Sequence, residues 1–165
     1  MRPHPLLTQI GSHSLTRRVR PDIVLLLANE FEDVALIGGG SGITPLYQLV
    51  NHALKDPTNR TRFTLLYANV SEADILLREE LAALQRAHPA TFRVVHSLDS
   101  PPAGGWSGAK GHVSRELVRA HVPPAEKGDK LKVLICGTYI PSYTYAYAGL
   151  DHLTLTTLVR PFFRC

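Results

Sequence analysis

Between residues 34 and 136, short apolar runs alternate with segments of helical periodicity, and this alternation narrows the fold more than any other feature of the chain. Val34-Ala-Leu-Ile37 reads as a buried strand that stops at Gly38-Gly39-Gly40-Ser41-Gly42, a tight turn. A helix should follow. Pro45 suits its first turn, where a missing N–H has no intrahelical partner to lose, and Leu46, Leu49, Val50 and Ala53 recur at helical spacing. Asp56-Pro57 ends that helix, and Phe63-Thr-Leu-Leu-Tyr67 predicts a second strand. Ser71 and Asp74 stand as N-cap and third-position acid for one helix carrying Ile75, Leu77, Leu81 and Leu84. Phe92–Leu98 predicts a third strand, followed by an exposed Pro/Gly-rich loop around Trp106. Val113–His121 reads as a helix capped by Ser114, and Lys132–Cys136 as a strand ended by Gly137. The expected fold is therefore α/β, a Rossmann-like parallel sheet with right-handed crossovers and helices on its faces. In such sheets ligands collect beyond the carboxyl ends of the strands, where Gly38–Thr44, Asn69–Asp74, Leu98–Gly111 and Cys136–Thr138 would meet.

Composition excludes several classes. The chain has 165 residues, about one domain, and its formal charge of +4 comes from scattered basic residues with no aromatic interleaving, which argues against a nucleic-acid partner. Cys136 and Cys165 form no CxxC pair and the eight histidines lack ligand spacing, so no metal site is expected. Apolar runs such as Ile23–Ala28 fall far short of the roughly 20 residues that span a bilayer. Residues 1–30 form a basic N-terminal segment. Its first twenty residues hold Arg2, Arg17, Arg18 and Arg20 and no acid, a composition open to two readings, a disordered tail or a transit peptide.

A glycine-rich turn between strand and helix lets backbone amides approach a pyrophosphate, helped by the partial positive charge of the helix N-terminus. By itself the Gly38–Thr44 run is equally a plain tight turn, because it is not GxGxxG. Its surroundings add specificity. Gly39-Gly40-Ser41-Gly42-Ile43-Thr44-Pro45 resembles the signature of the ferredoxin-reductase superfamily. Phe31–Ile37, Asn69–Leu81, Ser97–Pro102, Gly105-Trp106, Gly108–Gly111 and Val133–Gly137 resemble, in the same order, the NADH-cytochrome b5 reductase branch, especially its fungal mitochondrial members. The likeness covers residues 31–137, the expected NAD(P)-binding domain, and leaves residues 138–165 as a divergent tail.

That resemblance implies NADH as ligand. Gly39, Gly40, Ser41, Gly42, Thr44 and Pro45 would hold the pyrophosphate and border the nicotinamide, with Asn69 and Gly137 completing the cofactor-binding set. Asp74 would accept hydrogen bonds from the adenosine ribose hydroxyls and repel a 2′-phosphate, favouring NADH over NADPH. From the residues alone Asp74 is equally a cap for Ser71, and one carboxylate can do both. Cys136 and Thr44 would lie where hydride passes to the flavin, although a free cysteine at a strand end is commonly a small buried hydrophobe. Trp106 and Lys110 fall in a loop that the family uses near the nucleotide; the plain alternatives are a cover for the sheet end and a solvated charge.

The resemblance also implies FAD, held on an antiparallel barrel with an Arg-x-Tyr-Ser/Thr motif. No Arg-x-Tyr occurs, and residues 1–30 are too few to build that barrel, so the FAD barrel is expected to be absent. After Gly137 the chain reads Thr138-Tyr-Ile-Pro-Ser-Tyr143 where the family has several prolines and a helix; alternation around Leu153, Leu155, Leu158 and Val159 allows an extra strand instead. Three readings stand: a lobe passing hydride to FAD on another domain or a flavin-domain chain and electrons to a cytochrome b5-like haem protein, a nucleotide-binding regulatory module, or a non-functional truncated or misjoined gene product. On the first, the isolated chain should be inactive, and the location mitochondrial by resemblance or otherwise cytoplasmic.

Overall fold

The computed structural model describes residues 29–137 and 155–157. The readings of residues 1–28 as tail or transit peptide, and of most of the divergent tail, lie outside these residues. Six parallel strands form one sheet in the order β4-β3-β2-β1-β5-β6: β1 Asp33–Gly39, β2 Arg62–Asn69, β3 Phe92–Leu98, β4 Ala109–Lys110, β5 Leu131–Gly137 and β6 Leu155–Thr157. Helices α1 Ile43–Ala53, α2 Arg78–Ala87 and α3 Arg115–His121 connect them. Among the described residues no closed barrel is formed, and no helix is long and apolar enough to cross a membrane.

Every residue of β1 is buried, as a central strand covered on both faces must be. Side-chain alternation divides the core into two layers. Val34, Leu36, Phe63, Leu65, Tyr67, Leu134 and Cys136 face α1 and α2, meeting Leu46, Leu49, Val50 and Leu81. Ala35, Ile37, Leu66, Val95, Val133 and Ile135 face the other way, onto Val113, Val118 and Val122 around α3. Helices thus cover both faces of the sheet. The strand order runs from β1 through β2 to β3 in one direction and restarts at β5 on the other flank, so the topological switch point falls between β1 and β5.

Three local expectations are revised. The apolar run does not stop at Ile37: Gly38 and Gly39 stay in the ladder, opposite Tyr67 and Ala68 on one side and Cys136 and Gly137 on the other, because flanking strands supply hydrogen bonds that side chains need not. The single helix expected from Ser71 to Leu84 is two pieces. A one-turn 3-10 segment spans Glu72–Asp74, Ile75 is extended, Leu77 is left-handed at φ 55°, and only then does α2 begin. Burial explains the break, since Ile75 and Leu81 both reach the same core layer while Leu76 between them remains exposed. The loop around Trp106 is less exposed than expected: it contributes β4, and Trp106 packs on the core edge while donating from Nε1 to the Ala109 carbonyl at 2.8 Å. The alternation after residue 153 does yield the extra strand, which runs parallel to β5 with Leu155 opposite Val133.

Ser114 caps α3, accepting the Leu117 N–H at 3.2 Å. At the amino end of the sheet, Asp33 is buried against Arg62, whose Nε and Nη2 each donate at 2.9 Å, and against the Lys127 ammonium. The Arg62 hydrogen bonds come first in holding the Asp33 carboxyl below its usual range.

Candidate functional site

The carboxyl ends of β1, β2, β3 and β5 are level: Gly39 pairs with Ala68 and Gly137, and Ala68 with Ser97. From this rim the Gly40–Gly42 turn leads directly into α1. Gly40 takes φ 52°, which glycine adopts without steric cost. Gly42 is required for a different reason. A Cβ there would stand 2.2 Å from the Cys136 carbonyl oxygen and 2.6 Å from Gly137 Cα, so only a bare backbone lets the start of α1 settle on the end of β5. A Cβ on Gly137 would reach within 2.8 Å of Gly39. The result is a floor of uninterrupted backbone at the switch point where α1 begins, the Ile43 N–H being taken up by the carbonyls of the preceding turn. Ser41 and Thr44 are exposed on its lip and Pro45 is half-buried in the first turn.

Cys136 is buried on the α1 side of the sheet, and burial pushes its thiol above the ordinary range. It is therefore a neutral thiol near neutral pH, suited to packing and not to nucleophilic attack.

Asp74 stands on the 3-10 turn after β2. Its Oδ2 accepts the Ser71 N–H at 2.9 Å and the Ser71 hydroxyl at 2.7 Å, and the hydroxyl and then the amide hold its pKa below the ordinary carboxylate value. Both bonds use Oδ2, and the residue is exposed, so the cap and a ligand on Oδ1 are compatible. Asn69, the last residue of β2, is 6% exposed, and its side-chain Nδ2 and Oδ1 meet no partner among the described residues. A buried amide left unmet costs roughly 1–3 kcal/mol, and the Tyr67 phenol lies near enough to interact with this one. Trp106 closes the β3 side, while Lys110, level with Leu98, is exposed.

Three residues of this rim carry no signal in local sequence pattern. Tyr67 is fully buried; its hydroxyl donates to the Gly40 carbonyl at 2.9 Å and accepts the Leu76 N–H at 3.3 Å. One phenol thereby ties the glycine turn to the segment carrying Asp74. Val70 and Leu76, 61% and 48% exposed, flank that segment as apolar surface open to water. The periodicity at β2 marked Tyr67 only as core, and no stripe contains the other two.

A doubly wound parallel sheet with a glycine cradle at its switch point, an acid after the second strand and an unmet amide beside it defines a dinucleotide-binding α/β domain. The family model for the oxidoreductase NAD-binding domain matches residues 36–141. The chain belongs to that family, and its likeness within it is to NADH-cytochrome b5 reductases. It is 46% identical over 110 residues to NADH-cytochrome b5 reductase 2 of Aspergillus terreus, an alignment covering 67% of this chain and 34% of that protein. Against the human NADH-cytochrome b5 reductase 2 it is 39% identical over 139 residues, covering 84% and 49%. The chain thus spans about a third to a half of the length of these relatives. Among solved structures, the cytochrome b5 reductase domain of Ulva prolifera nitrate reductase superposes with a TM-score of 0.66 at 32% identity, over 73% of this chain and 43% of that one. The CS-b5R domains of human Ncb5or, in their NAD+ form, share the fold at TM-score 0.68 and 23% identity, over 82% and 39%.

Proposed function

We propose that this chain is the nucleotide lobe of an NADH-dependent flavoprotein reductase. In this reading the pyrophosphate of NADH lies on Gly39, Gly40, Ser41, Gly42, Thr44 and Pro45. The adenosine ribose is met by Asp74, with Asn69 beneath it, and the nicotinamide rests beside Thr44, Cys136 and Gly137. The backbone cradle where Gly42 meets Cys136 and Gly137 carries the proposal, because it opens at the switch point of a parallel sheet and admits no side chain.

The lobe's own contribution is placement. Thr44 at the lip and the neutral Cys136 thiol border the position of the ring and exchange no proton with it. Hydride transfer belongs to the nicotinamide and to an FAD, and electrons would leave singly to a haem protein of the cytochrome b5 kind. The described residues form one all-parallel sheet and offer no barrel for FAD, so that group would come from elsewhere. Without an acceptor within about 3–3.5 Å of the nicotinamide, the chain alone should bind NADH and not turn over. A mitochondrial location accords with the likeness and with the basic, acid-free first twenty residues; imaging a fusion of residues 1–30 to a fluorescent protein tests it.

Calorimetric titration with NADH, together with ferricyanide reduction in the presence of FAD, tests the reading. Saturable NADH binding without reduction by the chain alone, and reduction once a flavin lobe from a relative is added, is the expected result. Absence of NADH binding overturns it.

A further inference from the structure

Glu72 and Asp74 share the 3-10 turn after β2, and the Glu72 carboxylate holds Arg78 Nη1 at 2.6 Å. These residues are six apart, a separation that a continuous helix would place on different faces. Between them the chain turns through the left-handed Leu77, a conformation uncommon for a non-glycine residue. Arg78 is held from a second side as well, its guanidinium carbon lying 6.0 Å from the centroid of the Trp106 ring. Both side chains of the pair are partly exposed, Arg78 45% and Glu72 39%, so the guanidinium is at the surface of the rim and not sealed into the core.

A guanidinium is the side chain best shaped to fork onto a phosphate. Here one, at the first residue of α2, is held by Glu72 against the turn that, on the nucleotide reading above, faces the adenosine ribose. We propose that Glu72 is a specificity-determining residue: by occupying Arg78 it withholds this guanidinium from the 2′-phosphate of NADPH and adds to the repulsion from Asp74. This inference rests on that nucleotide reading. The three side chains carry a formal charge of −1 together. Removing the Glu72 carboxylate brings the sum to zero and frees two-pronged donors, while the Trp106 face keeps Arg78 at the rim. NAD+ carries only a neutral hydroxyl at the 2′ position, with no charge for the freed guanidinium to meet.

Calorimetric titration of the full 165-residue chain with NAD+ and with NADP+ at low ionic strength tests this in wild type, Glu72→Gln, Arg78→Met and the double variant. Far-UV circular dichroism confirms that each retains the sheet. Glu72→Gln should tighten NADP+ roughly two- to fivefold, the scale of an exposed ion pair, and change NAD+ by less than about twofold. Adding Arg78→Met should abolish the gain. NAD+ binding by wild type with unchanged NADP+ affinity in Glu72→Gln overturns this proposal alone. A gain that persists in the double variant also overturns it, since the guanidinium would then play no part. Absence of NAD+ binding by wild type overturns the nucleotide reading and this proposal with it.

Discussion

At the scale of single residues, the rim is set by atoms that are missing as much as by atoms present. Gly42→Ala must push a methyl into the Cys136 carbonyl, 2.2 Å from its ideal position, so α1 has to lift from β5. The cost should exceed about 2 kcal/mol, as for overpacking at an interface that cannot relax, with NADH binding lost; chemical denaturation and calorimetry on one preparation check both. Tyr67→Phe removes the link between Gly40 and Leu76 and strands the Leu76 N–H. A loss of about 1–3 kcal/mol is expected, accompanied by weaker NADH binding; unchanged affinity would show that the two loops are held without the phenol. Asp33 supplies a pH effect. Its folded-state pKa lies below the ordinary 3.8, so its contribution is fully present above that value and disappears as pH falls through the lowered one. Asp33→Asn should cost about 1–3 kcal/mol near pH 7, discounted for the half-exposed Arg62, and should flatten the acid limb of stability measured from pH 5 to 2.

At the scale of elements, strands and helices were legible wherever one period ran unbroken. Phe92–Leu98 matches its expected bounds, and Ser114 caps α3 as its spacing implied. Sequence pattern failed where the third dimension decides. A capping box at Ser71 and Asp74 signals a helix start, and one does begin there, but burying both Ile75 and Leu81 in one layer breaks it after a turn. Gly38 and Gly39 looked like a turn because glycine is scarce in strands; sandwiched between β2 and β5, they are held by the ladder. The site followed the same rule. The glycine cradle and Asp74 were visible as motifs, whereas Tyr67 was indistinguishable from any buried aromatic, since its hydroxyl partners lie 27 and 9 residues away. The loop around Trp106 behaves as an element of its own. Gly108 has its missing Cβ 2.6 Å from the His96 carbonyl and 2.7 Å from the indole, so Gly108→Ala should unseat the ring; a red-shifted, more quenchable fluorescence would report it.

At the scale of the whole molecule, two core layers share one sheet, and β1 belongs to both. Damage at the centre of the sheet is therefore transmitted to every helix, while the rim is made of segments joined to it at one end. A ligand spanning β1, β2 and β5 links segments that the core holds separately. Saturating NADH should then raise the unfolding free energy by the mass-action amount, about 2.7 kcal/mol at a hundredfold excess over Kd, visible as a concentration-dependent midpoint in thermal denaturation. A midpoint insensitive to NADH would exclude the rim as its site.

The chain holds a single tryptophan, and the fold sets it at the β3 side of the rim with Arg78 over its face. Its emission is accordingly a built-in optical gauge of that side of the rim, legible without labels. Quenching on addition of a reduced nicotinamide would register ligand arrival, and the same trace followed in time would give the speed of entry and exit.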